Sequence, residues 1–463
     1  MPMRSTALLL LIAALVGCRQ QGWPAAPAAG PAPISVDWRD TRQTIVGFGG
    51  TMGWVHPHPE QREKVFDLLF NDLGVSVLRI QALGGEGGDE ESLEPANDNA
   101  DPADINWAGF PIRTTEAKNA TIIKAARDRG VKTIIPVAWS PPGWMKDTGR
   151  RAGGGSLQPQ LLAEYAELWA AYVIGMKREF DIDIRDISIQ NEPDLSYTYP
   201  TCRWEPELYA KAVGEVAARL RREKLNVRVL GPDTCRIYHV PEYVEALDAA
   251  KATPRTPILT HLYDLSIPYE RVDRDPERWR TARDLARKCG RPLWLMETAN
   301  YLSYGIEPAS FDEAMIWAQK MHWALTEGDC EVVCWWALFF DKRCESLVYC
   351  AKSEDPSYEV TPKFYTSMNY YRYVRPGMVR SAARSADPGL LVSAFGDRKS
   401  RVVVVINTLG EPRTVDLSRA LAGRLKRYET TSTRKCELNG QAGGEIVLPE
   451  RSVTTFVQEL QQE

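Results

Sequence analysis

Two glutamates in this chain end apolar runs. Glu192 follows Ile187-Ser188-Ile189-Gln190-Asn191 and precedes Pro193, and Glu297 follows Leu293-Trp294-Leu295-Met296. A carboxylate at the end of a buried strand stands at a rim, where it can meet a ligand. Alone, either glutamate reads equally as a solvated loop carboxylate or a salt-bridge partner. Facing one cavity, the pair suits glycoside hydrolysis: one group protonates the leaving oxygen and the other attacks the anomeric carbon. Their environments must then separate the two pKa values, so that the acid keeps its proton and the nucleophile stays ionised.

The elements that would hold such a pair are visible as a repeat. Near-continuous apolar runs occur at 45–50, 75–80, 131–139, 184–190, 227–231, 258–263, 292–297 and 331–338, as expected for parallel strands buried on both faces. Amphipathic stretches lie between them. Leu161, Leu162, Tyr165, Leu168, Trp169, Tyr172, Val173 and Met176 fall at helical spacing, with Pro159 in the first turn. Segments 59–71 and 311–327 read the same way. Eight strand–helix units over 44–376 predict an α/β fold, a closed (β/α)8 TIM barrel, whose active site lies at the C-terminal strand ends. Glu192 then ends the fourth strand and Glu297 the seventh. The alternative is a doubly wound open sheet. It fits worse, because Gly47-Phe48-Gly49-Gly50 lacks the spacing of a dinucleotide loop.

After Pro376-Gly377 the texture changes to short alternating runs at 390–395, 401–407, 413–417, 445–448 and 452–457. These predict a small antiparallel β-sandwich domain over 377–463. Residues 34–43 also alternate at their start (Ile34, Val36, Trp38) and are expected to add a strand to that domain.

The N-terminus reads as targeting. An apolar stretch at 7–16 is too short to span a bilayer comfortably. It leads into Leu15-Val16-Gly17-Cys18, the pattern of a bacterial lipobox. Segment 1–18 is therefore expected to be a lipoprotein signal peptide, with Cys18 lipidated. Segment 19–33 is expected to be a flexible Ala/Pro tether, and the chain is expected to be exported and anchored to the cell envelope. Of nine cysteines, the eight beyond Cys18 permit disulfides in an exported chain. Cys202–Cys235 and Cys344–Cys350 are the candidate bridges, and Cys334 reads as a core thiol. No Cys or His spacing suits zinc, and neither a metal nor a cofactor is expected. A net charge of −4 gives no basic footprint for nucleic acid. Fourteen tryptophans, several near strand ends, suit stacking on sugars or plain core packing.

Several motifs then resemble glycoside hydrolase family 30, a family of retaining (β/α)8 glycosidases. They are Val46-Gly47-Phe48-Gly49-Gly50, Ala138-Trp139-Ser140-Pro141-Pro142-Gly143-Trp144-Met145-Lys146, Ser188-Ile189-Gln190-Asn191-Glu192-Pro193-Asp194, Thr260-His261-Leu262-Tyr263, Leu293-Trp294-Leu295-Met296-Glu297 and Val374-Arg375-Pro376-Gly377. The last strand, Ser452-Val453-Thr454-Thr455-Phe456-Val457, matches as well. The resemblance runs through nearly the whole chain beyond residue 34 and is nearest to the bacterial xylanase branch. It implies Glu192 as general acid/base and Glu297 as nucleophile. It implies Asn191 on the sugar 2-hydroxyl, Arg79 holding Glu297 ionised, and Tyr263 and His261 beside the pair. It places Trp139 and Trp336 as aromatic platforms, with Trp335 turned into the core. Polysaccharide is the implied partner, and an endo-β-xylanase-like activity the leading expectation.

That branch reads a glucuronate side group with an arginine just after the eighth-strand Trp pair. Here Trp335-Trp336 is followed by Ala337-Leu338-Phe339-Phe340-Asp341, with no arginine before Arg343. The family's other activities, β-1,6-glucanase, β-1,6-galactanase, glucosylceramidase, β-fucosidase and xylosidase, stay open. So does a non-catalytic carbohydrate-binding lipoprotein, against which both glutamates argue.

Overall fold

The computed structural model describes residues 30–85, 88–252, 256–263, 276–299, 307–352, 354–442 and 444–460. The expected signal segment with Cys18, and most of the expected tether, lie outside these residues, as does the 300–303 stretch after Glu297. Among the described residues, no helix is long and apolar enough to cross a membrane.

The eight apolar runs form eight barrel strands: β2 (Gly47–Met52), β3 (Val77–Ala82), β4 (Thr133–Ala138), β5 (Asp186–Ser188), β6 (Arg228–Leu230), β7 (Ile258–His261), β8 (Leu293–Glu297) and β9 (Val332–Phe340). Neighbours pair in parallel from β2 round to β6, from β7 through β8 to β9, and from β9 back to β2. Between β6 and β7 a single parallel bridge, Thr234 to Thr260, stands where a longer ladder would run. The result is a near-closed barrel. Every residue of β2, β3, β8 and β9 is buried, which is why these runs lack polar alternation. β2 needs its glycines for a close approach. A Cβ on Gly49 would lie 1.6 Å from the Val77 carbonyl oxygen, and one on Gly50 would lie 2.5 Å from that of Trp335.

β5 and β6 have three residues each. Their ladders stop early, so Ile189–Glu192 and Gly231–Asp233 run on beyond the regular strands, tied by single bonds such as the Asn191 amide to the Ala138 carbonyl at 2.7 Å and the Asp233 amide to the Leu259 carbonyl at 2.9 Å. β9 runs long, and its second half pairs with β10 (Ser346–Tyr349), which pairs with β11 (Glu359–Val360). The connection 341–345 therefore hangs over the mouth.

The helices sit where the spacing predicted them. A 3-10 turn at Pro159–Leu161 leads into the helix Leu162–Phe180. Ser310 caps Phe311–Thr326, accepting a hydrogen bond from the Glu313 amide. The 59–71 reading becomes Arg62–Phe66 followed by a π-helical turn, Asp67–Asp72.

The second sheet has nine strands. They are β1 (Ala32–Thr44), β12 (Val379–Ser385), β13 (Leu390–Gly396), β14 (Ser400–Asn407), β15 (Arg413–Arg419), β16 (Leu425–Thr430), β17 (Lys435–Ala442), β18 (Glu445–Leu448) and β19 (Ser452–Glu459). The sequence reading missed β12, β16 and β17, in which charged residues interrupt the apolar pattern. The sheet is mixed rather than purely antiparallel, because β1 enters antiparallel to β12 but parallel to β15. β14 explains how the sheet attaches to the barrel. Val402, Val404 and Ile406 join the barrel's core, whereas Val403 and Val405 join a second core with Ile34, Val392, Leu417 and Phe456. Alternate residues of one strand thus serve two cores. The helix Pro362–Tyr371 links them further: Tyr371 donates to the Gly49 carbonyl at 3.0 Å, and Asn369 donates to Thr455 at 2.9 Å.

The candidate disulfides are absent. All eight described cysteines are free thiols. Cys202 lies against Lys146 and Trp204, whereas Cys235 faces Glu192 and Asp194, so their sulfurs sit in different surroundings. Cys350 points its sulfur at the Phe340 carbonyl, 3.7 Å away, while Cys344 lies near Glu345 and Glu313. Cys334 is a fully buried core thiol, as expected.

Candidate active site

A cleft of about 520 Å³ opens at the C-terminal ends of the barrel strands. Glu192, Glu297, Trp139, Tyr263 and Trp336 line it, together with Trp54, Tyr197, Tyr199 and Phe340. Arg79, Asn191 and His261 do not. They lie beneath it, at most 1% exposed: Arg79 and His261 touch the carboxylates, and the Asn191 side chain accepts from Arg79.

The two glutamates converge from opposite sides of the barrel. One carboxylate oxygen of each, with a ring nitrogen of His261, lies within 4.8 Å of the others. That is short of the 6.5–9.5 Å that inverting glycosidases need for a water, and close to the ~5–5.5 Å of retaining enzymes. Glu192 reaches this place through a left-handed backbone, φ +48°, an unfavourable conformation for a non-glycine residue. It is held by its amide, which donates to the Asp233 carbonyl at 3.0 Å.

Below the pair runs a charge network. Arg79, with no exposed surface, donates to Glu297 Oε2 at 2.6 Å and to Asp233 Oδ2 at 3.0 Å, and also to Asn191 Oδ1. Its guanidinium stacks 4.7 Å over the Trp139 ring. Its cationic state is reinforced: burial opposes the charge, and Asp233 and Glu297 outweigh it. His261 Nδ1 is 3.0 Å from Glu192 Oε1 and 3.6 Å from Glu297 Oε1, while Nε2 is 3.1 Å from Asp233 Oδ1. Both ring nitrogens face carboxylates. Burial alone would lower the imidazole pKa, but Glu297 and Asp233 raise it to about 10. A doubly donating imidazolium has no lone pair for a metal, although Glu192, His261 and Glu297 have metal-ligand spacing. Burial would raise Asp233, yet Arg79 and His261 hold it well below the usual carboxylate range.

The glutamates themselves differ. Burial pushes Glu297 up to about 7, against the pull of His261 and Arg79. Burial also pushes Glu192 up, but hydrogen bonds from His261 and from Tyr199, at 2.9 Å, bring it below its ordinary value. In the free site the transferable proton of the Glu192 side therefore rests on His261, one hydrogen bond away.

The aromatic residues form the walls. Trp54 stands edge-on to Trp139, Trp336 and Tyr199, with ring centroids 5.3, 6.1 and 6.3 Å apart. Trp336 is oriented by a hydrogen bond to Glu345, 2.8 Å. Trp335 turns inward, as expected, against Trp317. Phe340 borders the cleft, while its neighbour Phe339 faces the core, as strand alternation requires. Arg343 is bound to Glu359 through two contacts of 3.0 and 2.6 Å. Among the described residues, the cation at the cleft wall is instead Lys342, 5.5 Å above the Phe340 ring.

Sequence reasoning missed Asp233, Tyr199, Trp54 and Lys342. Asp233 had a usable signal, since it follows the fifth barrel strand as Glu192 follows the fourth. Trp54 follows the first strand in the same way. Tyr199 had none, because its loop brings it back seven residues after Glu192.

No family model matches the chain. The glucuronoxylanase XynC of Bacillus subtilis (strain 168) is 26% identical over 483 residues, covering 98% of this chain and 98% of that protein. Among solved structures, the family 30 subfamily 8 xylanase Xyn30A of Clostridium acetobutylicum superposes with a TM-score of 0.71 at 21% identity, covering 92% of this chain and all of that one. An endo-β-1,6-glucanase superposes with a TM-score of 0.70 at 18% identity, covering 93% and 94%. The barrel with its appended β-domain, the convergent glutamates and the end-to-end likeness to a glucuronoxylanase make the chain similar to the xylanases of glycoside hydrolase family 30 and support its reading as a retaining O-glycosyl hydrolase.

Proposed function

We propose that this chain cleaves the backbone of a xylan-type polysaccharide by double displacement, with Glu297 as nucleophile and Glu192 as general acid/base. The observation that carries the reading is the approach of the two carboxylates to within 4.8 Å. A Glu297 oxygen attacks the anomeric carbon as the glycosidic C–O bond breaks. The leaving oxygen takes a proton that His261 Nδ1 passes on through Glu192, which leaves Glu192 ionised and His261 neutral. In the second step Glu192 accepts a proton from water. The resulting hydroxide attacks the anomeric carbon and releases Glu297. Trp139 and Trp336 stack on the sugar, and Asn191, whose Oδ1 is taken by Arg79, offers its amide N–H groups to a hydroxyl. Tyr263, edge-on to His261 at 6.0 Å, limits the cleft on the side of the sixth strand.

The xylan assignment is supported by the relative named a glucuronoxylanase, which matches end to end. The test is a panel of xylan, glucuronoxylan, β-1,6-glucan, β-1,6-galactan and aryl glycosides, with NMR of the first-formed anomer. Release of new reducing ends from xylans with retained configuration is expected. An inverted first product would remove the double displacement, and turnover of β-1,6-glucan alone would remove the xylan assignment.

A further inference from the structure

We propose that Glu94, Asp98, Glu164 and Glu167 bind a divalent cation, Ca²⁺ by its chemistry, at a site separate from the cleft.

Glu164 and Glu167 lie three residues apart in the first turns of Leu162–Phe180, so they share one helix face. Glu94 and Asp98 come from the segment that follows β3. None of the four lines the cleft. One oxygen each from Asp98, Glu164 and Glu167 lies within 4.8 Å of the others. Two oxygens on opposite sides of Ca²⁺, each bonded at about 2.4 Å, span that distance.

Glu94 is an independent pointer to a ligand. It is not one of those three, has 0% exposure, and its Oε2 has no hydrogen-bond partner. Its other oxygen, Oε1, accepts from the Asp98 amide at 3.3 Å, so the carboxylate lies directly beside the three, with Asp98, Glu167 and Glu164 as neighbouring charges. Glu167 is also 0% exposed, and neither of its oxygens has a partner. Glu164 Oε2 and Asp98 Oδ1 are shielded and unpartnered too. Burying this many acceptors without donors is costly.

Asn97 hydrogen-bonds Glu164, but among the described residues none of the four carboxylates has a cation in ion-pair contact. Arg219, the cation felt by Glu167, spends Nε on Glu223 at 2.9 Å and its other nitrogens on the Pro102 and Ala103 carbonyls. Burial and mutual repulsion therefore push Glu94 up to about 9 and Glu167 to about 8. An all-oxygen, carboxylate-rich set suits a hard cation rather than zinc. The irregular arrangement suits Ca²⁺ over Mg²⁺, which demands a tight octahedron and keeps its waters. The bound ion would tie the segment after β3 to the helix. Trp144, which donates to the Glu94 carbonyl at 3.0 Å, would join the loop after Trp139 to the same point.

The experiment uses the full chain freed of metal with EDTA. Ca²⁺ and Mg²⁺ are each titrated by calorimetry at neutral pH, and thermal unfolding is followed with and without millimolar ion. Ca²⁺ is expected to bind one per chain, more tightly than Mg²⁺, and to raise Tm. Glu167→Gln is expected to weaken Ca²⁺ at least about tenfold, remove the gain in Tm, and raise Tm in EDTA by relieving repulsion. Asp98→Asn, at a partly exposed position, carries the same test if Glu167→Gln does not fold. Absence of Ca²⁺ binding, Mg²⁺ binding that matches or exceeds it, or equal Ca²⁺ binding by wild type and variants would each overturn the proposal.

Discussion

Arg79 donates to Glu297 at 2.6 Å from a position with no exposed surface. A fully desolvated cation in direct contact with the proposed nucleophile is worth more than a surface pair, because water does not screen it. It is also shared with Asp233 and Asn191, so it cannot swing away without leaving buried acceptors unpaired.

Replacing Arg79 by Met is therefore expected to raise the Glu297 pKa by about 1–3 units, the size of an opposite-charge effect at contact distance. It should also destabilise the fold by about 3–5 kcal/mol, since buried Asp233 loses one of its two cationic partners and keeps only His261. Arg79→Lys keeps the charge and should shift the pKa less. The acid limb of kcat/KM against pH reads the shift, and urea unfolding reads the stability. An unmoved acid limb in a folded Arg79→Met enzyme would remove the electrostatic role.

The pH profile has a defined sign. Glu297, at about 7, must be ionised to attack, so activity should fall as pH drops through that value. The His261–Glu192 side must hold a proton, and His261 titrates at about 10, so activity should fall again as pH rises toward it. An alkaline plateau between the two is expected on unactivated substrates. With aryl glycosides that leave without protonation, the basic limb should fade. An optimum well below pH 6 would contradict this assignment.

Glu297→Gln is expected to lower turnover by at least about 10⁴-fold while ligand affinity changes little, since the amide fills the same space but cannot attack. Glu192→Gln should be equally slow on xylan yet lose far less on activated aryl glycosides. Equal losses on both substrates would refute the acid/base role.

Glucuronate dependence turns on Phe340, Lys342 and Arg343. Arg343 is engaged with Glu359, and Phe340 occupies the wall. Rates on glucuronoxylan before and after enzymatic removal of the glucuronate are expected to agree within about tenfold, because among the described residues no bidentate arginine lines the cleft to repay desolvating a carboxylate. A larger loss on removal would point to Lys342, and Lys342→Ala should then reproduce it.

Free thiols predict that reductant leaves Tm unchanged, since no described cysteine is bridged. A fall in Tm with dithiothreitol would contradict the thiol state. The envelope anchor, proposed from Leu15-Val16-Gly17-Cys18, is checked by labelling bacterial cells with a fatty acid. Label should appear on the wild-type chain and vanish with Cys18→Ser.

By itself the sequence determined the eight barrel strands, the two rim glutamates and the attached β-domain. Each rests on a local pattern: buried runs such as 331–338, a charged residue closing an apolar strand, and alternation in 401–407. β12, β16 and β17 escaped because their residues alternate burial with charge, and only pairing with neighbours makes them strands. Tertiary structure alone decided the distance between Glu192 and Glu297, which are far apart in the chain and meet only when the barrel closes. It likewise decided that His261 lies between Glu192, Glu297 and Asp233. The same holds for the thiols of Cys202 and Cys235, whose loops are neighbours in the barrel order while their sulfurs face different partners. Side-chain direction at a strand end depends on where the ladder stops, and that is set by neighbouring strands rather than by the residue's own sequence.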